Sequence, residues 1–538
     1  MPIQRVHQSN FNRGEIDPNL VSRNDLNAYG SALSKARNVL INNQGSVERR
    51  PGTVFRADLG ATTRLESFIF SGSQEYIFAF QNTVLKIYST NGTLLQTITS
   101  CAWGTSSLFE LNFTQQGDTM IIVHNTFTPQ IIKRTGATTF EKSVFAFDTF
   151  TTDNGTETFQ PYFKFANNSI TIDPSTTTAG ATGTLTVSAA YFTSDDVGTK
   201  IQVQNGEYTI NSLTSSTIVA VTCNRKPITR LDPEPLLAES GTNKIIVTHV
   251  GHGFTTGTSI ILRGAESVDD GATNNSGGSN TINYVGINGT RTITVLDADH
   301  YEFTPTNTDG VVTQSIDFGG SNVEIESVGA TRNWKEQVIS AKHGFPKAVA
   351  FHEQRLYFSG VDDIPDLITG SKIGEFFNFD VGEAEDADSV QIQIASNEIN
   401  EIRHLISGKV LEVLTNTAEF YLKPPVGKPV TPSDIQVVRQ SSLGTQRKAT
   451  PRLFDGATVF VQNNGKTVRE YLFSSSLEEF SSGSISIEAN HLINTPTDSA
   501  KISSIGNKPE QLFFLVNTDG TLAVYSAQRL QKILGWFL

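Results

Sequence analysis

The chain has 538 residues, of which 37% are hydrophobic and 18% charged, with 54 acidic against 41 basic side chains and a formal net charge of −13. That length predicts about two to four domains, and the acidic balance argues against a dedicated nucleic-acid binder, which carries a basic footprint. Two cysteines exclude a disulfide framework or a cysteine-based zinc site and predict free thiols, while the polar start MPIQRVHQSNFNRGE and the lack of any apolar run of about 18 residues predict neither secretion signal nor membrane segment.

In chain order, residues 11–56 hold the one clear helix pattern. Ser22 and Asp25 form a plausible cap, Leu26, Tyr29, Leu33 and Ala36 fall on one face, and Lys35 and Arg37 sit in the last turn. A hairpin follows, Val39–Asn42 and Val47–Arg50 around the Asn43–Gly45 turn, leading into Pro51–Gly52. From Leu65 to Phe147 the pattern is β throughout: Phe68–Phe70, Tyr76–Phe80, Val84–Tyr88, Leu94–Thr97, Leu108–Phe113 and Met120–His124. Strands spaced by about ten residues suit a sandwich, barrel or propeller, and consecutive hairpins such as the one at Asn91–Gly92 favour propeller-like blades.

Between Phe150 and Gly329 the composition shifts to Thr, Ser, Asn and Gly. Short alternating strands (Thr184–Val187, Ile201–Val203, Tyr208–Leu213, Ile218–Thr222), then KPITRLDPEPLLAES, then Lys244–Thr248, Ser259–Arg263, Gly289–Leu296 and Tyr301–Thr304 predict two inserted small β-barrel or sandwich modules. The stretch DDGATNNSGGSN from Asp269 to Asn280 is expected to be a mobile loop. From Trp334 the first pattern is expected to resume. Around KHGFPKAVAFHEQRLYFSG alternation reads as strands, the Asp362–Pro365 segment as a turn, and Ile368–Ser371 as another short strand. The expected organisation is therefore 1–60, a helix-and-strand segment; 61–150, a first propeller-like part; 151–230 and 231–330, the two inserts; and 331–538, a second propeller-like part. At the C-terminus, Leu512–Val516 and Thr521–Tyr525 form a hairpin and KILGWFL a third strand with an apolar edge. An apolar edge of that kind demands a cover. Ile533, Trp536 and Phe537 are therefore expected to be buried by the N-terminal half or by another polypeptide.

Several motifs carry a resemblance. Phe11–Gly14–Glu15, Arg23–Asp25–Leu26, Tyr29, Arg37–Asn38 and GSVERRPGT from Gly45 to Thr53 are similar to the opening of bacteriophage tail nozzle proteins, the tail tubular protein B or stabilisation proteins of short-tailed phages. HGFPKAVAFHEQRLYFSG, NEINEIRHLISGKVLEVLTNTAEFYL, TPSDIQVVRQSSLGT and GATVFVQNNGKTVREYLF resemble the same family in the same order, so the likeness covers about two thirds of the chain and brackets the inserts. The resemblance implies a structural protein of the virion tail, assembled in the host cytoplasm. It further implies a homo-hexameric ring below a tail adaptor protein, with tail fibres or other tail proteins at its periphery. Double-stranded DNA would pass transiently through a central channel during genome ejection. The alternative is a receptor- or glycan-binding tail protein acting through the inserts. Trp103, Trp334 and Trp536 are the only tryptophans and none lies between Phe150 and Gly329, which weighs against sugar-stacking surfaces there.

No enzyme is expected, and no catalytic, cofactor or metal residues are assigned. His249 and His252 form an H-x-x-H pair at a strand end rather than on a helix, with no third ligand in register. Glu383, Glu385, Asp386 and Asp388 lack the alternating ligands and glycine of a calcium loop. Asp362, Asp363 and Asp366 are the best glycosidase candidates, yet two are adjacent in a turn rather than facing across a groove. Arg49–Arg50 and Arg447–Lys448 suit surface or interface pairing better than phosphate contact in so acidic a chain.

Overall fold

The computed structural model describes residues 8–538 except 21, 22, 24, 27, 274–278, 283, 307–314, 328, 383, 426–428, 475–478 and 504–510, and for 269–285 the backbone alone. The described chain is mainly β, and none of its helices is long and apolar enough to cross a membrane. It divides into two compact units, one made of Met1–Ala146 with His343–Leu538 and the other of Phe147–Lys342.

The first unit is built from six four-stranded antiparallel meanders, here sheets I to VI, whose strands pair in chain order. Their first strands are Arg64–Ser71, Asn112–Gln116, Ala348–His352, Ile402–Ser407, Arg452–Phe454 and Asp498–Ile502. Alternation along these strands puts one apolar row against each neighbouring sheet. Sheets I and II share Phe68, Phe78, Phe80, Trp103, Met120, Ile132 and Phe140. Sheets III and IV share Tyr357, Ile368, Val413, Phe420 and Leu422, and sheets V and VI share Val459, Val468, Phe513, Leu515, Tyr525 and Trp536. The arrangement is propeller-like, with each sheet a blade.

Sheet VI has four strands rather than the expected three, because Asp498–Ile502 supplies its first strand and Ile533–Phe537 its fourth. Ile533, Trp536 and Phe537 are buried, and their cover comes from the N-terminal chain. Leu40 and Ile41 of the Val39–Ile41/Val47–Arg49 hairpin pack on Leu512, Val524, Ile533 and Phe537. The backbone of Glu15 donates to Trp536 O at 2.8 Å, and Leu534 donates to Asn12 O at 3.0 Å.

This docking overturns the expected N-terminal helix. Among the described residues only the 3-10 turns Pro18–Leu20 and Tyr29–Ser31 form, and Ala32 is already extended. The reason is tertiary. Ser31 O accepts from Arg13 N, and Leu33 N donates to Gly14 O while its carbonyl accepts from Ile16 N. Those backbone groups are spent on the Phe11–Ile16 segment, and Tyr29, Gly30 and Ser31 are weak helix formers to begin with. Ser22, the expected cap, lies outside the described residues, and Asp25 instead pairs with Arg23 on the surface.

Two strand boundaries also differ. Ile364–Gly370 is one strand that begins inside the expected turn, so Ile368–Ser371 is not separate. Leu108–Glu110 is a 3-10 turn ahead of Asn112–Gln116.

The second unit holds two modules. One is a nine-stranded sheet centred on Leu185, Ile201, Tyr208, Val219, Val221 and Trp334. The other runs from Ile228 to Ser327 as a four-stranded and a five-stranded sheet around Leu236, Val247, Ile260, Tyr301 and Ile325. The boundary expected at 330/331 is corrected to Lys342/His343. Trp334–Gln337 pairs with Lys200–Val203 and closes the first module, so the second is inserted within it rather than following it. Residues 274–278 of the expected mobile loop lie outside the described residues.

Gly14 decides whether the two chain ends can meet. Its φ is +67°, and an added Cβ would lie 2.6 Å from the backbone nitrogen of Trp536. Gly14→Ala should lower the stability of this unit by about 3 kcal/mol, from left-handed strain plus backbone collision. Gly30→Ala, with open space around it, should stay within a few tenths of a kcal/mol. Urea midpoints of the two variants check the contrast.

Candidate functional site

The first strands of the six sheets converge on a buried polar hub. At the surface beside it, Gln115 exchanges hydrogen bonds with the backbone of Ile69 between sheets II and I. Asn112 donates to Lys347 O at 2.8 Å and to Arg403 O at 2.9 Å. Lys347 Nζ lies 2.6 Å from Glu401, His404 Nε2 lies 3.0 Å from Gln446 O, and Ser499 Oγ donates to Thr450 O at 2.5 Å. The circle then closes between its last members and its first. Arg452 grips Glu66 through two nitrogens, at 3.0 and 2.7 Å, across 386 residues of sequence.

Arg64 is the centre of that closure. Its guanidinium donates to Leu108 O at 3.0 Å, Leu111 O at 2.7 Å and Thr450 Oγ1 at 2.9 Å, lies 3.5 Å from Asp498, and covers the Phe113 ring. Burial opposes charge on Glu66, but the Arg452 guanidinium outweighs it and holds that carboxyl below its usual range. Burial raises Asp498. His404 is pushed down to about 3 by burial and stays neutral, Nδ1 facing the Asn112 amide. These groups hold strands in register, and none of them faces an open substrate cleft.

The sequence candidates are each occupied elsewhere. His249 and His252 are buried beside Phe254 and Tyr301. His252 accepts from Phe254 N–H at 2.9 Å on Nδ1 and donates from Nε2 to Asp297 O at 3.1 Å, while His249 faces Tyr301 Oη at 3.3 Å. Burial lowers His249 to about 4. Both act as neutral core groups. Asp362 pairs with Lys347, Asp363 with His343 and Asp366 with Gln393, three different partners.

Glu383 lies outside the described residues. The rest of its run folds over cations already present: Asp388 takes Lys372 at 3.0 Å, and the carbonyls of Ser371, Asp386 and Asp388 converge on the Arg355 guanidinium. Among the described residues no group of three His, Cys, Asp or Glu side chains gathers as a metal site would need. Arg50 bonds Asn38 Oδ1 and Pro51 O and, like Arg49, is exposed, whereas Arg447 enters the hub on Glu110 and Asn125. Cys101 and Cys223 are buried free thiols, each pushed up to about 11 by burial.

No protein-family model matches the chain, and no curated protein matches it. The solved structures it resembles include the phage phi92 endosialidase, at 11% identity over 78% of this chain and 72% of that one, with a TM-score of 0.15. An auxiliary nutrient binding protein from Bacteroides ovatus matches at 8% identity over 67% and 85%, with a TM-score of 0.22. Apo AztD from Citrobacter koseri matches at 10% identity over 78% and 94%, with a TM-score of 0.19. Scores that low carry no argument about function.

One pair of acids missed in the sequence lies between sheets IV and V. Glu412 and Glu419 are buried near Tyr471, and burial pushes Glu412 up to about 7 and raises Glu419. Glu412 is thus protonated in the fold but ionises from 4.5 in the unfolded chain. Its contribution is fully present below 4.5 and is lost as pH rises through about 7, a penalty on the order of 3 kcal/mol above that range. Glu412→Gln should remove this slope and unfold at higher temperature than the parent on the alkaline side. Tm of both proteins across that range checks it.

Proposed function

We propose that this chain is a structural virion protein, the tail nozzle of a short-tailed phage, assembling as a hexameric ring around a channel for the departing genome. The observation that carries the reading is the role of the residues on which the resemblance rests. Gly14 seats the chain against Trp536, and buried Glu15 accepts from Ala36 N–H at 2.7 Å, from Arg37, and lies 2.9 Å from His491. The N-terminal motifs and the C-terminal family-like segments therefore do one job together, closing a rigid six-sheet scaffold. That is what a load-carrying tail component requires.

Two further facts support the reading. Arg64, Asn112 and His404, on the first strands of three sheets, are all buried, and on this reading a passage for duplex DNA is bounded by several copies rather than drilled through one. A net charge of −13 suits a conduit, since each neutralised phosphate adds affinity and slows passage. The tail adaptor above and fibres at the periphery remain the partners this reading proposes. The receptor- or glycan-binding reading gains no support from Trp334, which belongs to an insert module but is buried against Tyr191.

Gold-labelled antibody against the chain, applied to intact virions, tests the proposal. Label confined to the tail tip, with six-fold symmetry in averaged end views, is the expected result. Label on the capsid or fibres, or none on the particle, overturns it.

A further inference from the structure

A cleft opens between the outer part of sheet V and sheet VI. Leu472, Ile485, Leu534 and Trp536 form apolar walls, and Ile487, 67% exposed, stands at the rim. Polar groups line the same cleft. Tyr525 is fully buried against Trp536, its ring centroid 4.9 Å away, yet its hydroxyl has no hydrogen-bond partner. Ser484 Oγ and Arg529 Nη2 are buried and equally unpartnered. A buried polar group left unpaired costs about 1–3 kcal/mol, and three donors of this kind around one cleft call for an acceptor.

The charges in the cleft set the character of that acceptor. Arg529 Nη1 is held by Glu470 at 2.7 Å, and its Nε faces Asp455. Arg13 lies 3.9 Å from Glu488. Among the described residues Lys532 is the cation of the cleft wall without a carboxylate partner, while Arg529 already has two. A monoanion pairs with Lys532, whereas a dianion would leave negative charge against Glu470, Glu488 and Asp455. A carboxylate, whose two oxygens accept from several donors, suits the unpartnered Nη2 of Arg529 together with the two unpartnered hydroxyls. The apolar walls then select what carries it.

We propose that this cleft binds a carboxylate attached to a branched apolar group, the carboxylate accepting from Tyr525 Oη, Ser484 Oγ and Arg529 Nη2 while the apolar body lies on Leu534 and Trp536. The site is independent of the nozzle reading, since it rests on the cleft alone. A chain-terminal leucine of a partner and a free branched-chain acid share this chemistry.

The test uses the full chain labelled with 5-fluorotryptophan and followed by fluorine NMR, with the Trp536 resonance identified by Trp536→Phe. N-acetyl-leucine should shift the Trp536 signal with a millimolar Kd, as expected for so small a ligand, and should leave the other two unmoved. N-acetyl-leucinamide, which lacks the charge, should not shift it. A short peptide ending in leucine that binds more tightly than N-acetyl-leucine marks a partner's chain end as the natural ligand, and equal binding marks the free acid. Tyr525→Phe should weaken binding about tenfold with no loss of Tm, because the hydroxyl it removes bonds nothing in the protein. Lys532→Met, on the surface, should weaken it comparably and abolish its salt dependence. No shift at tens of millimolar, an equal shift with the amide, or unaltered binding by both variants overturns the proposal.

Discussion

The ion pair between Arg452 and Glu66, backed by Arg64 and Asp498, is the contact on which the six-sheet unit depends. Five of the six junctions in the circle join sheets that are adjacent in chain order. The last sheet must find the first across nearly the whole sequence, and no local propensity guides that meeting. The buried Arg64 and the partly buried Arg452, facing two carboxylates, can be satisfied in one register and are penalised in any other, since a lone buried charge costs several kcal/mol. Their net stabilisation is small after desolvation. Their value lies in specifying which edges meet.

The second closure is apolar and lies farther out. Leu40, Ile41 and Val47 cover a sheet that would otherwise present Leu512, Val524, Ile533 and Phe537 to water, and the main chain of Gly14 and Glu15 runs beside Trp536. Both closures put early residues on late ones. A long insertion between Ala146 and His343 is thermodynamically tolerable under such a scheme, because loop-closure entropy grows only logarithmically with length. The scaffold is held by contacts between its ends and not by chain continuity in its middle.

Much of the fold was legible in runs of β-forming residues, which marked Tyr76–Phe80 and Met120–His124 as strands, and in the period-two alternation of Ile218–Thr222. Helical periodicity failed where backbone groups were claimed from a distance, as at Leu33, whose amide and carbonyl serve Gly14 and Ile16 and leave no helix. The β pattern misled at Trp334, where a strand that resembles one unit belongs by pairing to the other. The hub was illegible because its partners are isolated charges, each unremarkable in its own segment and meaningful only once paired over 386 residues. Negative readings of the candidate residues needed geometry too. Only the structure shows that the Asp386 and Asp388 carbonyls point at Arg355.

Native-state hydrogen exchange on Arg452→Gln tests ring closure most directly. If the Arg452–Glu66 contact fastens the last sheets to the first, amides of Arg64–Ser71 and of Asp498–Ile502 lose protection together, while the strands of sheet III keep theirs. Faster exchange confined to the strand that carries residue 452, with both distant strands unchanged, would contradict the account.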